Sequence, residues 1–195
     1  TPWDSLGAGS IGQDTASIQN TPPMIEDVFV DPDPARTEDE LSCGLGLTLE
    51  PDGDLTTYSY SWSVDDISTP ITTSTLSADH FDKGDAVTCT VTPTDGIDVG
   101  PAATSLPRTI ANTAPSVDVV SVSPELVSTG DVLTCAYTGF SDPDGPEESD
   151  LSTFEWLVNG TPAGEGVSFS GEYIGGDVLS CEVTPFDGES TGVVV

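Results

Sequence analysis

The chain has 195 residues, enough for one large domain or two small ones, and 34 acidic residues against three basic ones give a formal net charge of -31. Such a charge repels nucleic acid phosphates and anionic lipid head groups, so neither partner is expected. No apolar run approaches the roughly 18 to 20 residues that span a bilayer, so we expect no membrane contact within this segment.

Three runs in the first half of the chain alternate apolar and small polar residues. Their apolar members are, in chain order, Leu41, Cys43, Leu45 and Leu47, then Tyr58, Tyr60, Trp62 and Val64, then Val87, Cys89 and Val91. Alternation with period two predicts half-buried strands, and turns rich in Gly, Pro and Asp about every ten residues are typical of a β-sandwich. The aromatic members of these runs are expected in the core.

The second half of the chain contains the same three patterns. Their apolar members are Leu133, Cys135 and Tyr137, then Phe154, Trp156 and Val158, then Leu179, Cys181 and Val183. Asn159-Gly160 follows the middle run and predicts a tight hairpin turn, although Asn159-Gly160-Thr161 also fits a glycosylation acceptor.

The two halves repeat with a period of 92 residues. The phrase VTPTDG at 91–96 returns as VTPFDG at 183–188, and Asn20-Thr-Pro-Pro returns as Asn112-Thr-Ala-Pro. Because prolines stiffen a connection, we place the boundaries at these Asn-Thr-x-Pro phrases. The sequence then predicts terminal strand(s) of a preceding or neighbouring repeat at 1–19, repeat 1 at 20–111, and repeat 2 at 112–195, with its last strand missing or supplied by another copy.

The four cysteines occupy equivalent positions in the two halves. A Cys on an early strand, a Trp on the next and a Cys on a late strand would place an aromatic ring against a disulfide between two sheets. We therefore predict the pairs Cys43–Cys89 and Cys135–Cys181. An even cysteine count without CxxC disfavours zinc and redox chemistry and indicates an extracellular or cell-surface location.

Several phrases of the second half resemble a known family. They are NTAP at 112–115, GDVLTC at 130–135, SDPDG at 141–145, WLVNG at 156–160 and GDVLSCEVTPFDG at 176–188. Together they resemble bacterial immunoglobulin-like repeats, related to PKD and cadherin-like modules, in the tandem arrays of large cell-surface proteins. The resemblance implies tandem immunoglobulin-like β-sandwiches, each with one intersheet disulfide. The first half departs from it, with EPDGD at 50–54 and no Asn-Gly after its Trp.

Acidic loops are the candidate metal sites. Their carboxylates in the second half belong to Asp142, Asp144, Glu147, Asp150 and Asp187. Calcium takes six to eight oxygen ligands from such flexible loops, so these residues are candidate Ca²⁺ ligands, although Asp and Gly also serve simply as turn residues. No cofactor is required. If the repeats stack end to end, acidic loops from both are expected to meet at one junction, where a cation would join them.

Residues for catalysis or ligand binding are few. His80 is the only histidine and lies in an expected loop, and no GxSxG motif is present, so the protein is not expected to be an enzyme. Trp3 occupies a turn position equivalent to Thr94 and Phe186, where it is a candidate exposed binding residue.

The predicted function is a structural subunit of an extracellular fibre, filament or surface stalk. Its expected partners are other copies of itself or adjacent repeats, arranged head to tail, with β-strand complementation as the mode of assembly. The alternative is a cell-surface adhesin that binds a carbohydrate or a host protein through its loops.

Overall fold

The computed structural model of the protein describes residues 14–146 and 148–195 and, within residues 1–13, the backbone of two short strands. Strands dominate the described residues, with a 3-10 turn at Ala78–His80. The all-β prediction is confirmed. No helix among the described residues is both long and apolar enough to cross a membrane.

The strands are short and follow one another closely along the chain. Up to residue 111 they are β1 (Trp3–Asp4), β2 (Gly7–Ala8), β3 (Met24–Ile25), β4 (Val28–Asp31), β5 (Ala35–Arg36), β6 (Leu41–Leu45), β7 (Thr48–Leu49), β8 (Thr57–Val64), β9 (Ile67–Ser68), β10 (Thr75–Leu76), β11 (Ala86–Thr94), β12 (Ala103–Thr104) and β13 (Arg108–Ala111). Beyond it they are β14 (Val119–Ser123), β15 (Leu133–Thr138), β16 (Thr153–Val158), β17 (Thr161–Glu165), β18 (Ser168–Phe169) and β19 (Leu179–Thr184).

Strands β3 to β13 belong to the first sandwich, and β3 and β7 pair with each other as a separate two-stranded sheet beside its two main sheets. One sheet has the order β10-β6-β4, and the other has the order β5-β13-β11-β8-β9, with β12 also paired to β11. Strand β5 runs parallel to β13, whereas β13 and β8 both run antiparallel to β11. This division of successive strands between two sheets is that of an immunoglobulin-like sandwich.

Strands β14 to β19 form the second sandwich on the same plan. Its sheets have the orders β14-β15-β18 and β17-β16-β19. The end of the chain runs back along β19, where Val195 and Val183 exchange two backbone hydrogen bonds of 2.9 and 3.0 Å. Val195 therefore occupies the position that Ala103 of β12 occupies opposite Val91.

Each sandwich has a hydrophobic core of its own. Trp62 is central to the first core and Trp156 to the second, with exposed fractions of 1% and 0%. Each indole is satisfied locally, because Trp62 Nε1 donates to the Thr73 carbonyl and Trp156 Nε1 donates to the Gly166 carbonyl. The predicted core positions of both tryptophans are confirmed.

One disulfide joins the two sheets of each sandwich. Cys43 of β6 bonds to Cys89 of β11, and Cys135 of β15 bonds to Cys181 of β19. Both predicted pairs are confirmed. In the strand register Trp62 lies opposite Cys89 and Trp156 lies opposite Cys181, so each ring neighbours its disulfide.

Two local predictions had different outcomes. Asn159 and Gly160 form the two-residue turn between β16 and β17 with φ values of 53° and 75°, which confirms the hairpin. Leu47, expected on the apolar face of a strand, lies beyond the end of β6 and is 57% exposed, so that prediction is wrong. The chain leaves the strand at Leu45, where Gly46 donates its N–H to the Asp27 carbonyl.

Candidate functional site

The candidate site is the junction at Asn112, where the chain passes from β13 into the second sandwich. Asn112 donates its side-chain N–H to Asp187 Oδ2 at 2.8 Å, and the Thr113 backbone N–H donates to Asp144 Oδ2 at 2.7 Å. The Asn-Thr-x-Pro phrase therefore fastens the connection to two loops of the second sandwich. Those loops are thereby held at the junction.

The start of the first sandwich is held by the equivalent hydrogen bonds. Asn20 Nδ2 donates to Asp95 Oδ2 at 2.8 Å, and the Thr21 backbone N–H donates to Asp52 Oδ2 at 2.6 Å. These partners lie 92 positions before those at Asn112. The agreement between the two halves thus extends from the strands to the side chains that anchor each connection.

Lys83, which precedes β11 of the first sandwich, reaches across the junction. Its ammonium lies 3.0 Å from Glu148 Oε1 and 2.9 Å from Glu189 Oε1, both on loops of the second sandwich. The hydrogen bonds to Glu189 and Glu148 raise the pKa of Lys83 well above its ordinary value, so the ammonium stays charged. The loop is itself anchored, because Gly84 N–H donates to the Ile110 carbonyl at 2.9 Å.

Two neighbouring residues of the first sandwich add to this contact. The Arg36 guanidinium donates to the Asn112 carbonyl, and the Thr37 hydroxyl donates to Asp144 Oδ1. Three consecutive parts of the junction are therefore bridged: the connecting backbone, the loop at Asp144 and the loop at Glu189.

The carboxylates at the junction differ in their electrostatics. Burial raises the pKa of Asp142, and the nearby negative charges of Asp144, Asp187 and Glu148 raise it further against one opposing backbone hydrogen bond. Burial also acts on Asp187, but hydrogen bonds from Asn112 and from backbone N–H groups outweigh it and lower its pKa. Asp187 therefore stays ionised to a lower pH than an ordinary aspartate, whereas Asp142 protonates more readily than an ordinary aspartate.

The structure distributes the predicted calcium ligands unevenly. Asp142, Asp144 and Asp187 lie at the junction, whereas Asp150 accepts hydrogen bonds from the Tyr137 and Ser152 hydroxyls. Glu147 lies outside the described residues. Buried oxygens of Asn112, Thr113 and Asp142 have no hydrogen-bond partner among the described residues. Within the same part of the chain no three His, Cys, Asp or Glu side chains are grouped to hold a metal, and calcium binding stays a prediction.

Sequence reasoning missed the basic half of the junction. It expected acidic loops from both repeats to face each other, whereas the first sandwich brings Lys83 and Arg36 against carboxylates and a carbonyl of the second. The sequence did hold one signal for these residues. The chain has only three basic residues, and Lys83 and Arg36 are two of them. The third, Arg108, pairs with Asp33 at 2.6 Å inside the first sandwich.

The two other residues singled out in the sequence are Trp3 and His80. Trp3 lies in the β1–β2 hairpin, but its side chain is outside the described residues, so its binding role stays a prediction. His80 ends the 3-10 turn and is half-buried. All four cysteines are in disulfides.

Comparison with known proteins gives structural likenesses but no match of sequence families. No family model matches the chain, and no curated protein matches it. Among solved structures it is similar to the crystal structure of chicken CNTN1 FN1-FN3 domains, with 12% sequence identity and a TM-score of 0.40. That similarity covers 98% of this chain and 70% of the other.

Proposed function

We propose that the chain is a structural subunit of an extracellular fibre, filament or surface stalk built from immunoglobulin-like sandwiches stacked end to end. The observation that carries this is the junction, where Lys83 pairs with Glu148 and Glu189 while Arg36 and Thr37 hold the connection. Relative motion is the default between domains that share a small interface, and contacts at several points of the connection would restrict that motion.

The covalent framework supports the same function. Each sandwich carries a disulfide that closes a 46-residue separation between opposite sheets, so pulling on its ends does not separate the sheets around Cys43–Cys89 or Cys135–Cys181. Disulfides of this kind persist outside the reducing cytosol, which supports an extracellular location. The fold offers mechanical continuity, and we assign no catalytic role.

The proposed organisation follows the 92-residue period. Residues 20–111 and 112–195 form successive repeats, and residues 1–19 belong to a preceding or neighbouring one. The β1–β2 hairpin supports this, because Trp3 lies opposite Ala8 just as Thr94 lies opposite Val99 and Phe186 lies opposite Thr191. Assembly continues head to tail through a strand that one repeat lends to another.

The junction provides the test. Lys83→Met removes both ion pairs, and we expect the two sandwiches to reorient independently, seen as divergent alignment tensors in residual dipolar couplings and as a broader distance distribution in X-ray scattering. Arg108→Met is the matched control, since it removes a cation paired within the first sandwich. Lys83→Arg should restore one shared tensor. Independent reorientation in the wild-type protein at low salt would contradict the stalk proposal.

A further inference from the structure

Strand β13 shows how the last strand closes a sandwich. It lies between β5 and β11, and its Ile110 is 1% exposed. The residues that surround this position, Val30, Ala35 and Val87, are at most 1% exposed. In the first sandwich one isoleucine therefore seals the end of the core between the two sheets.

The equivalent place in the second sandwich is a groove. Val122, Val127 and Leu179 stand 92 positions after Val30, Ala35 and Val87, but Val127 is 38% exposed and the other two are only half-buried. Together with Leu133 they form the apolar wall of a groove of about 350 Å³, with Glu125 and Asp177 also lining it. No residue among 14–146 and 148–195 fills it as Ile110 fills the first.

Residues 14–19 match the strand that would fill this groove. They stand 92 positions before 106–111, which places Ile18 at the position of Ile110 and Ser17 at the position of exposed Thr109. Ile18 is 91% exposed, and residues 14–19 belong to no strand. Exposure of one isoleucine is ordinary by itself, but an isoleucine in the phase of Ile110, on a segment that belongs to no strand, fits a strand that pairs with another molecule.

The groove of the same molecule is out of reach of this segment. Asn20 is fastened to Asp95 and Asp98 by bonds of 2.8 and 2.9 Å, at the end of β11 opposite to Lys83. The nine residues of β11 span about 30 Å at roughly 3.3 Å each, and the groove lies beyond the junction. Ile18 is two residues before Asn20, so it can lie at most about 7 Å from this anchor point.

We infer that residues Asp14–Gln19 of a second copy of this chain occupy the groove, with Ile18 packed against Val122, Leu133 and Leu179. Resting on the proposed function, this inference names the segment and the register of the head-to-tail contact. By analogy with β13, Ser17 lies antiparallel opposite Val178, and Ile18 lies parallel beside Val127. The donor segment of one molecule and the groove of the next then make a heterologous contact that propagates without closing.

Sedimentation velocity of the full chain over a concentration series is the first arm of the test. We expect wild-type protein to self-associate. Ile18→Asp should raise the dissociation constant by about 100-fold or more, because a carboxylate would be buried against an apolar wall. Ser17→Asp, directed outward at the next position, is the matched control and should associate like wild type. Equal association of wild type and Ile18→Asp would overturn the inference.

Cross-linking is the second arm and tests the register. A Ser17→Cys chain mixed with a Val178→Cys chain should form a disulfide-linked pair under mild oxidation, whereas Ser17→Cys with Val132→Cys should not. Absence of the first product would overturn the inference. If the wild type stays monomeric while its sandwiches share one alignment tensor, the donor-segment inference fails and the stalk proposal stands.

Discussion

Asp66 has a backbone conformation that its own side chain disfavours. With Asp65 it forms the two-residue turn between β8 and β9, at φ values of 49° and 63°. Asp65 is compensated, because its Oδ1 accepts a hydrogen bond from Ala86 N–H at 3.0 Å. The equivalent turn of the second sandwich has Asn159-Gly160, where glycine adopts positive φ without steric cost.

Replacing Asp66 with glycine is therefore expected to stabilise the first sandwich by about 0.5–1 kcal/mol. The reciprocal change, Gly160→Ala, should destabilise the second sandwich by a similar amount, since its φ of 75° lies in the left-handed region. Urea unfolding curves of the two variants provide the measurement. A loss of stability in Asp66→Gly would show that its carboxylate has a compensating contact.

Asp187 gives the junction an acid-labile component. Its folded-state pKa is lowered despite burial, so its contribution to stability is present above the unfolded value near pH 4 and is lost as the pH falls through the folded value. Asp187→Asn should cost about 1–2 kcal/mol at pH 7, and this difference from wild type should shrink below pH 4.

Chemical unfolding at pH 7 and at pH 3 measures this difference. Asp142→Asn is the control, because the pKa of Asp142 is raised and its charge opposes folding at neutral pH. A difference between wild type and Asp187→Asn that stays constant from pH 7 to pH 3 would contradict this role for the Asp187 anion.

At the scale of strands, each disulfide connects two sheets that share no ladder of backbone hydrogen bonds among the described residues. Cys135 and Cys181 lie on strands of different sheets, so their bond joins the two layers covalently across the core. Closing a loop of this length restricts the unfolded chain by about 4 kcal/mol in the chain-entropy model.

The double variant Cys135→Ala, Cys181→Ala is expected to lose about 4 kcal/mol in the second sandwich while leaving the first intact. Hydrogen exchange measured by mass spectrometry resolves the two, because protection should fall in β15, β16 and β19 but persist in β8 and β11. The reciprocal pair, Cys43→Ala with Cys89→Ala, should reverse the pattern. Uniform loss of protection in both sandwiches would contradict independent cores.

The long strands were predictable from the sequence because burial imposes period two on them. Strand β11 alternates buried and half-buried positions along its whole length. Its apolar positions predicted the strand, and the place of Cys89 among them predicted the disulfide with Cys43. Strand β5 was not predicted, since two residues carry no periodicity and its parallel contact with β13 is set by the tertiary fold. The prediction for Leu47 was wrong because the alternation of apolar residues continues past Leu45, where the strand ends.

At the scale of the whole molecule, the candidate site depends on long-range contacts. The cysteines and the Asn-Thr-x-Pro phrases recur at 92 residues and were visible in the sequence, but Lys83 has no counterpart at position 175, where the second half has glycine. A contact such as Lys83 with Glu148 joins residues 65 positions apart and leaves no local pattern. The repeat therefore predicted the sandwiches, and the structure was needed to find what joins them.

The position of the three basic residues also determines where the chain is open to digestion. Trypsin-like enzymes cut after Lys or Arg, so their only targets are the bonds after Arg36, Lys83 and Arg108, and the whole second sandwich offers none. Two of those bonds adjoin side chains engaged at the junction, and the third follows the guanidinium held by Asp33 and the Val30 carbonyl. A folded chain of this kind would therefore resist trypsin-like enzymes for as long as the contacts at the junction stay closed.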